Sequence, residues 1–89
     1  MKAIITTTGK DRTGILAELT RYISDMNCNV EDISQTIMQG NFVMIMMIDL
    51  SSACGSFADI KSGLDKISEK SGLAIHIQRA EIFEQMHHV

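Results

Sequence analysis

Thr7-Thr8-Gly9-Lys10-Asp11-Arg12-Thr13-Gly14-Ile15-Leu16 decides the fold, because the spacing of apolar residues changes across it. Before it, Lys2 to Thr8 is rich in β-branched residues that alternate. Ala3, Ile5 and Thr7 share one face, and Ile4, Thr6 and Thr8 the other. A period of two predicts a strand that ends at Gly9. After it, Ile15, Leu16, Leu19, Tyr22, Ile23 and Met26 recur at the spacings of an amphipathic helix. Glu18, Arg21 and Asp25 fall off that stripe, and Asn27 suits the left-handed conformation that ends a helix. Between the two periods, glycines and an aspartate stand where the backbone turns and offers unpaired N–H groups. If a small molecule binds, it is expected to bind there.

Working outward, Asn29 to Met38 reads as a second strand, with Ile33, Gln35 and Ile37 on one face and Ser34, Thr36 and Met38 on the other. Gln39-Gly40-Asn41 is a turn, so Phe42 to Leu50 folds back antiparallel as a third strand. Phe42, Met44, Met46, Ile48 and Leu50 line one of its faces, while Val43, Ile45 and Met47 line the other. A strand apolar on both faces is expected to be covered on both. One helical layer covers only one, which leaves the second to another subunit. After a polar loop at Ser51 to Gly55, Phe57, Ile60, Leu64 and Ile67 form a second helical stripe. Gly63 beside it is expected to permit close packing on the sheet, and Gly72 is a C-terminal stop. Leu73, Ile75 and Ile77 then alternate with Ala74, His76 and Gln78 in a fourth strand. Ala80 to His87 suits a short terminal helix with Ile82, Phe83 and Met86 on one side.

The order is strand, helix, strand, strand, helix, strand. Right-handed crossovers make of it an α+β, ferredoxin-like βαββαβ sandwich. The expectation is a four-stranded antiparallel sheet with both long helices on one face and a short C-terminal helix. A chain of 89 residues holds one core, so residues 1–89 are read as a single domain. A domain this small is marginally stable alone, which favours a homo-oligomer, a dimer first of all.

Composition excludes several functions. The net charge of −3, with basic residues scattered along the chain, argues against direct binding of nucleic acid. No run of about 18 apolar residues exists for a membrane span. Met1 to Thr6 has too short an apolar core for a secretory signal, and a cytoplasmic protein is expected. Cys28 and Cys54 lack a CxxC spacing and read as free thiols. The adjacent His87 and His88 point about 100° apart on a helix and make poor joint ligands, so neither a metal nor a cofactor is expected. No Ser/His/Asp, Cys/His or paired-carboxylate arrangement supports catalysis, and the chain reads as a non-enzyme.

The ferredoxin-like fold hosts unrelated activities, so the first loop must discriminate among them. A metal carrier needs CxxC where this chain has Lys10-Asp11-Arg12-Thr13, and an RNA-recognition module needs aromatic platforms on strands that here carry Ile and Thr. The pattern around Arg12 does not match an acylphosphatase. What Gly9-Lys10-Asp11-Arg12-Thr13-Gly14-Ile15-Leu16-Ala17 resembles is the G-x-D-R-P-G-I-(V/L)-A opening of the ACT domain, a small regulatory module that binds amino acids. Asn27-Cys28-Asn29-Val30-Glu31-Asp32-Ile33 is similar to the start of its second strand, and Ile33 to Gly40 followed by Phe42-Val43-Met44 to its hairpin. The end of the chain, Ile77-Gln78-Arg79 through Met86-His87, resembles stand-alone ACT proteins grouped with the glycine-cleavage repressor. Thr13 departs from the family's proline and is expected to cap the helix instead.

The resemblance implies a site made of Gly9, Asp11, Arg12, Thr13, Gly14 and Ile15, completed in dimers by Asn29, Val30 and Ile33 at the second strand. Free N–H groups from Thr13 to Leu16 and the helix dipole suit a carboxylate, and Asp11 suits an ammonium group. Plainer roles stand beside these. Asp11 is equally a helix cap, Gly14 a packing residue, Arg12 a solvated side chain, Gln35 an interface residue, and Met44, Met46 and Met47 core. The function implied is a non-catalytic regulatory module. It binds a small amino acid at a dimer interface and modulates a partner protein in amino-acid metabolism. The alternative is a ligand-free, oligomerising interaction adaptor.

Overall fold

In a computed structural model, which describes residues 1–10 and 14–81, the alternating segments form the strands β1 (Lys2–Lys10), β2 (Asn29–Met38), β3 (Asn41–Asp49) and β4 (Ala74–Arg79). The two apolar stripes form the helices α1 (Ile15–Asp25) and α2 (Phe57–Ser71). The sheet order is β2-β3-β1-β4 and every neighbouring pair is antiparallel. This is the ferredoxin-like arrangement expected from the element order. Ala80 and Glu81 begin a helical turn, while the rest of the expected terminal helix, residues 82–87, lies outside the described residues.

Register explains the core. Ala3, Ile5 and Thr7 of β1 sit level with Ile48, Met46 and Met44 of β3, so their side chains share a face. Onto that face pack Ile15, Leu19 and Ile23 of α1 and Ile60 and Leu64 of α2. Met44 and Met46 are core residues with no exposed surface. Cys28, Leu73 and Ile75 close the cluster. The opposite face carries Val43, Ile45 and Met47. Val43 and Met47 are half-buried, and Ile45 is 41% exposed. Ile4, on the same face, is buried.

The helices meet where Gly63 removes a side chain. A Cβ there would fall 1.8 Å from the Tyr22 hydroxyl oxygen, so glycine serves the α1–α2 contact and not, as its position beside the stripe suggests, contact with the sheet. The Tyr22 hydroxyl donates to the Ile60 carbonyl at 3.3 Å. Burial, with smaller contributions from Cys28 and Asp59, pushes its pKa up and keeps it a neutral donor.

Local chemistry sets the turns. Gln39 and Gly40 both take positive φ, 54° and 80°, as a tight hairpin between β2 and β3 requires. Asn27, with φ 58°, ends α1, and Gly72, with φ 79°, ends α2. Ser56 and Asp59 form a reciprocal capping box at the start of α2, a signal the sequence carries but the period of the stripe does not reveal.

Candidate functional site

The β1–α1 turn is built on two unusual glycines. Gly9, with φ 159°, is extended and faces Leu73, whose Cδ2 would lie 2.5 Å from an added Cβ. Gly14 is left-handed, with φ 90°, and an added Cβ would meet nothing within 4 Å. One glycine permits packing, then, and the other permits the backbone turn and leaves open space beside it. Asp11, Arg12 and Thr13 lie outside the described residues.

Gly14 is the N-cap of α1 and, lacking a side chain, makes no side-chain cap hydrogen bond. This corrects the expectation that Asp11 or Thr13 holds the N-cap position. The first intrahelical bond runs from the Glu18 amide to the Gly14 carbonyl at 2.9 Å. The amides without an intrahelical acceptor are therefore those of Gly14, Ile15, Leu16 and Ala17, one residue later than the sequence suggests. Leu16 and Ala17 are exposed, while the Ile15 side chain is buried in the core. The helix dipole adds partial positive charge at this end. Glycine is itself a tolerated N-cap, and that was the signal available for finding the shift.

The predicted residues of β2 lie elsewhere in the same chain. Lys10 pairs with Asn41, and Asn41 with Met38, so the Gly9–Gly14 turn belongs to the hairpin end of the sheet. Asn29 pairs with Asp49, and Asp49 with Lys2, at the other end. At about 3.3 Å per residue, Asn29 and Val30 are about 25 Å from the turn along the strands. Ile33 lies between the two ends, opposite Met46. Within one chain, Asn29 and Val30 thus stand at the end of the sheet away from Gly9 and Lys10.

β2 is an edge strand, and all ten of its residues are exposed. Ile33, Gln35 and Ile37 pair with the core residues Met46, Met44 and Phe42, so they point to the helical side, yet they project past the helices. Ile33 is 41% exposed and Ile37 60%. A bulge between Val30 and Asp32, beside the Lys2–Glu31 ion pair at 3.0 Å, interrupts the start of this edge. From Ile33 to Met38 the edge has no charge, proline or bulge, the features that normally discourage strand pairing.

Clefts among the described residues lie elsewhere. One of about 420 Å³ is lined by Met1, Lys2, Ala80 and Glu81. Another of about 430 Å³ runs between α2 and β4, and a third of about 150 Å³ lies over Ile4, Ile45 and Met47 on the open sheet face. Among the described residues no group of His, Cys, Asp and Glu could hold a metal ion. No helix among them is long and apolar enough to cross a membrane.

Comparison with known proteins places this architecture. A UPF0237 protein from Clostridium acetobutylicum is 48% identical over 89 residues, the full length of both chains. An ACT domain protein from Streptococcus pneumoniae superposes with a TM-score of 0.81 at 36% identity, covering 94% of each chain. A glycine cleavage repressor-like protein superposes with a TM-score of 0.73 at 25% identity, over 86% of this chain and 44% of that one. The sequence model described as the ACT domain matches residues 2–78, which include the β1–α1 turn, the β2 edge and all but the last residue of β4. With sequence, fold and turn in agreement, the chain belongs to the ACT domain family.

Proposed function

We propose that this protein is a regulatory module whose amino-acid site is completed only when two copies pair through their β2 edges. ACT domains are as a class regulatory, ligand-binding modules. The observation that carries the finer reading is the separation of Asn29 and Val30 from the α1 N-terminus within one chain. A two-fold antiparallel pairing centred within Ile33–Met38 reverses the direction of the second β2. It carries the partner's Asn29 and Val30 toward the Gly9–Gly14 end of this chain, so each turn gains a second wall.

The chemistry suits a zwitterion. The amides of Ile15, Leu16 and Ala17 and the positive end of the helix dipole receive the carboxylate. Gly14 leaves room for it, and Asp11 supplies the charge for the ammonium group. Ligand binding then favours the paired state and alters the affinity for a regulated protein partner. The residues assigned are Gly9, Asp11, Arg12, Thr13, Gly14 and Ile15 from one chain, with Asn29, Val30 and Ile33 from the other.

A thermal-shift screen of the twenty amino acids, taken to several millimolar, tests the site. At least one is expected to raise Tm in the unmodified protein. Gly14→Leu is expected to lower the starting Tm, since φ 90° strains any L side chain, and to abolish the ligand-induced rise above its own baseline. A response to none of the twenty removes the ligand claim. The rival reading is the ligand-free oligomerising adaptor. It draws on the β2 edge, whose exposed apolar residues suit pairing with or without a ligand.

A further inference from the structure

We infer that Cys28 and Cys54 form a reversible intramolecular disulfide, tying the root of β2 to the loop between β3 and α2. Both are free thiols in the structure, Cys28 buried and Cys54 exposed. They are 26 positions apart in the chain, yet they converge on one atom. The Met26 carbonyl oxygen accepts the Cys54 amide at 2.8 Å and the Cys28 thiol at 3.9 Å. The Cys28 sulfur therefore lies no farther from the Cys54 nitrogen than those two lengths end to end. A second bond holds the same two segments together, from the Asn27 side-chain amide to the Ser52 carbonyl at 2.8 Å.

A disulfide needs Cα atoms about 4.4–6.8 Å apart, so only backbones already neighbouring can close one without large movement. The loop is made of Ser51, Ser52, Ala53, Cys54 and Gly55, small residues that leave the Cys54 side chain free to turn. The contrast in exposure assigns the order of events. Burial, chiefly, and the nearby Cys54 and Asp49 push the Cys28 pKa up, so Cys28 is protonated and shielded at rest. Exposed Cys54 meets an oxidant first.

A small-molecule disulfide such as glutathione disulfide balances the chemistry. The Cys54 thiolate attacks one glutathione sulfur, forms the mixed disulfide and expels one glutathione thiolate. Cys28 then gives up its proton to water and attacks the Cys54 sulfur, which expels the second glutathione. The protein loses two electrons and two protons, and the oxidant becomes two thiols. Glutathione in excess reverses both steps.

The test is oxidation of the folded protein with glutathione disulfide, acid quenching, and mass spectrometry of the intact chain and its non-reduced peptides. The expected product is a single chain lighter by two hydrogens, with Cys28 and Cys54 peptides linked and no glutathione retained. Cys28→Ser is expected to keep glutathione on Cys54, and Cys54→Ser to leave Cys28 unmodified. In urea, where the two contacts at Met26 are lost, the linked yield is expected to fall several-fold. Any of four results overturns the inference: unreacted thiols, a persistent mixed disulfide in the unmodified protein, a Cys54–Cys54 link between chains, or equal closure in urea and buffer.

Discussion

A methyl group added to Gly63 would lie 1.8 Å from the Tyr22 hydroxyl oxygen and 2.3 Å from the ring carbon that bears it. Rotating the hydroxyl cannot relieve that overlap, so the Tyr22 ring must swing away from its Ile60 bond or α1 and α2 must separate. Gly63→Ala is expected to destabilise the protein by about 1–3 kcal/mol in urea unfolding, against the ~1 kcal/mol gained from helix propensity. Tyr22→Phe does not rescue it, because the ring carbon stays. Thr7 predicts the opposite sign. Its side chain has no exposed surface, and its hydroxyl has no hydrogen-bond partner among the described residues. Thr7→Val removes an orphaned polar group at nearly constant shape and is expected to raise stability by about 1 kcal/mol. In the sequence Thr7 reads only as one of three inward residues, and Gly63 only as a gap beside a stripe. Periodicity names the face on which a residue lies, and the neighbour across that face comes from the fold.

At the scale of elements, the helices differ at their ends in a way that bears on function. α2 is closed at both, by Ser56 and Asp59 at the start and by Lys70 and Gly72 at the finish. Ser56→Ala is expected to cost about 1 kcal/mol, read from the urea midpoint. α1 starts on Gly14, which makes no side-chain cap hydrogen bond, the end at which the carboxylate is proposed to bind. The loop leaving β3 is pinned by Asp49, whose carboxylate accepts the Ser51 hydroxyl at 2.6 Å and the Ser51 amide at 2.9 Å. These bonds hold its pKa below the ordinary 3.8 against the opposing effect of desolvation, with smaller help from the charges of the N-terminus and Lys2. Its contribution is therefore present above the unfolded value and is lost as pH falls through the lower folded value. Asp49→Asn is expected to flatten the stability profile below pH 4 while leaving the fold unchanged. The strands were legible almost residue by residue, because alternation in Asn29–Met38 and Asn41–Asp49 is strong and Gly40 marks the turn. The start of α1 was less so. Asp11, Thr13 and Gly14 all suit an N-cap, and the choice among them is made by backbone conformation.

At the scale of the molecule, the apolar second face of β3 pointed to a partner, and the structure divides that signal. Met47 and Val43 are half-buried within the chain and Ile45 is exposed, while Val30, Ile33, Ile37 and Met38 add an exposed apolar row on β2. Exposed edges of this kind pair unless something blunts them. Ile37→Lys puts a charge on the unprotected part of the edge at a residue that is 60% exposed, so folding is expected to change by less than about 0.5 kcal/mol. Light scattering is expected to show the unmodified protein as a dimer and the variant as a monomer. The candidate site is read from the family pattern through Gly9–Ala17, and its completion by a second chain from the resemblance alone. Sequence order hides that Asn29 and Gly9 stand at opposite ends of the sheet, which only the strand register reveals. The most direct measurement follows backbone amide resonances while titrating the amino acid that raises Tm most. The account predicts that Gly14 to Ala17 and Asn29 to Val30 shift together with one Kd, and that neither set moves in Ile37→Lys. Shifts confined to one end of the sheet, or a full response from the monomeric variant, would contradict it.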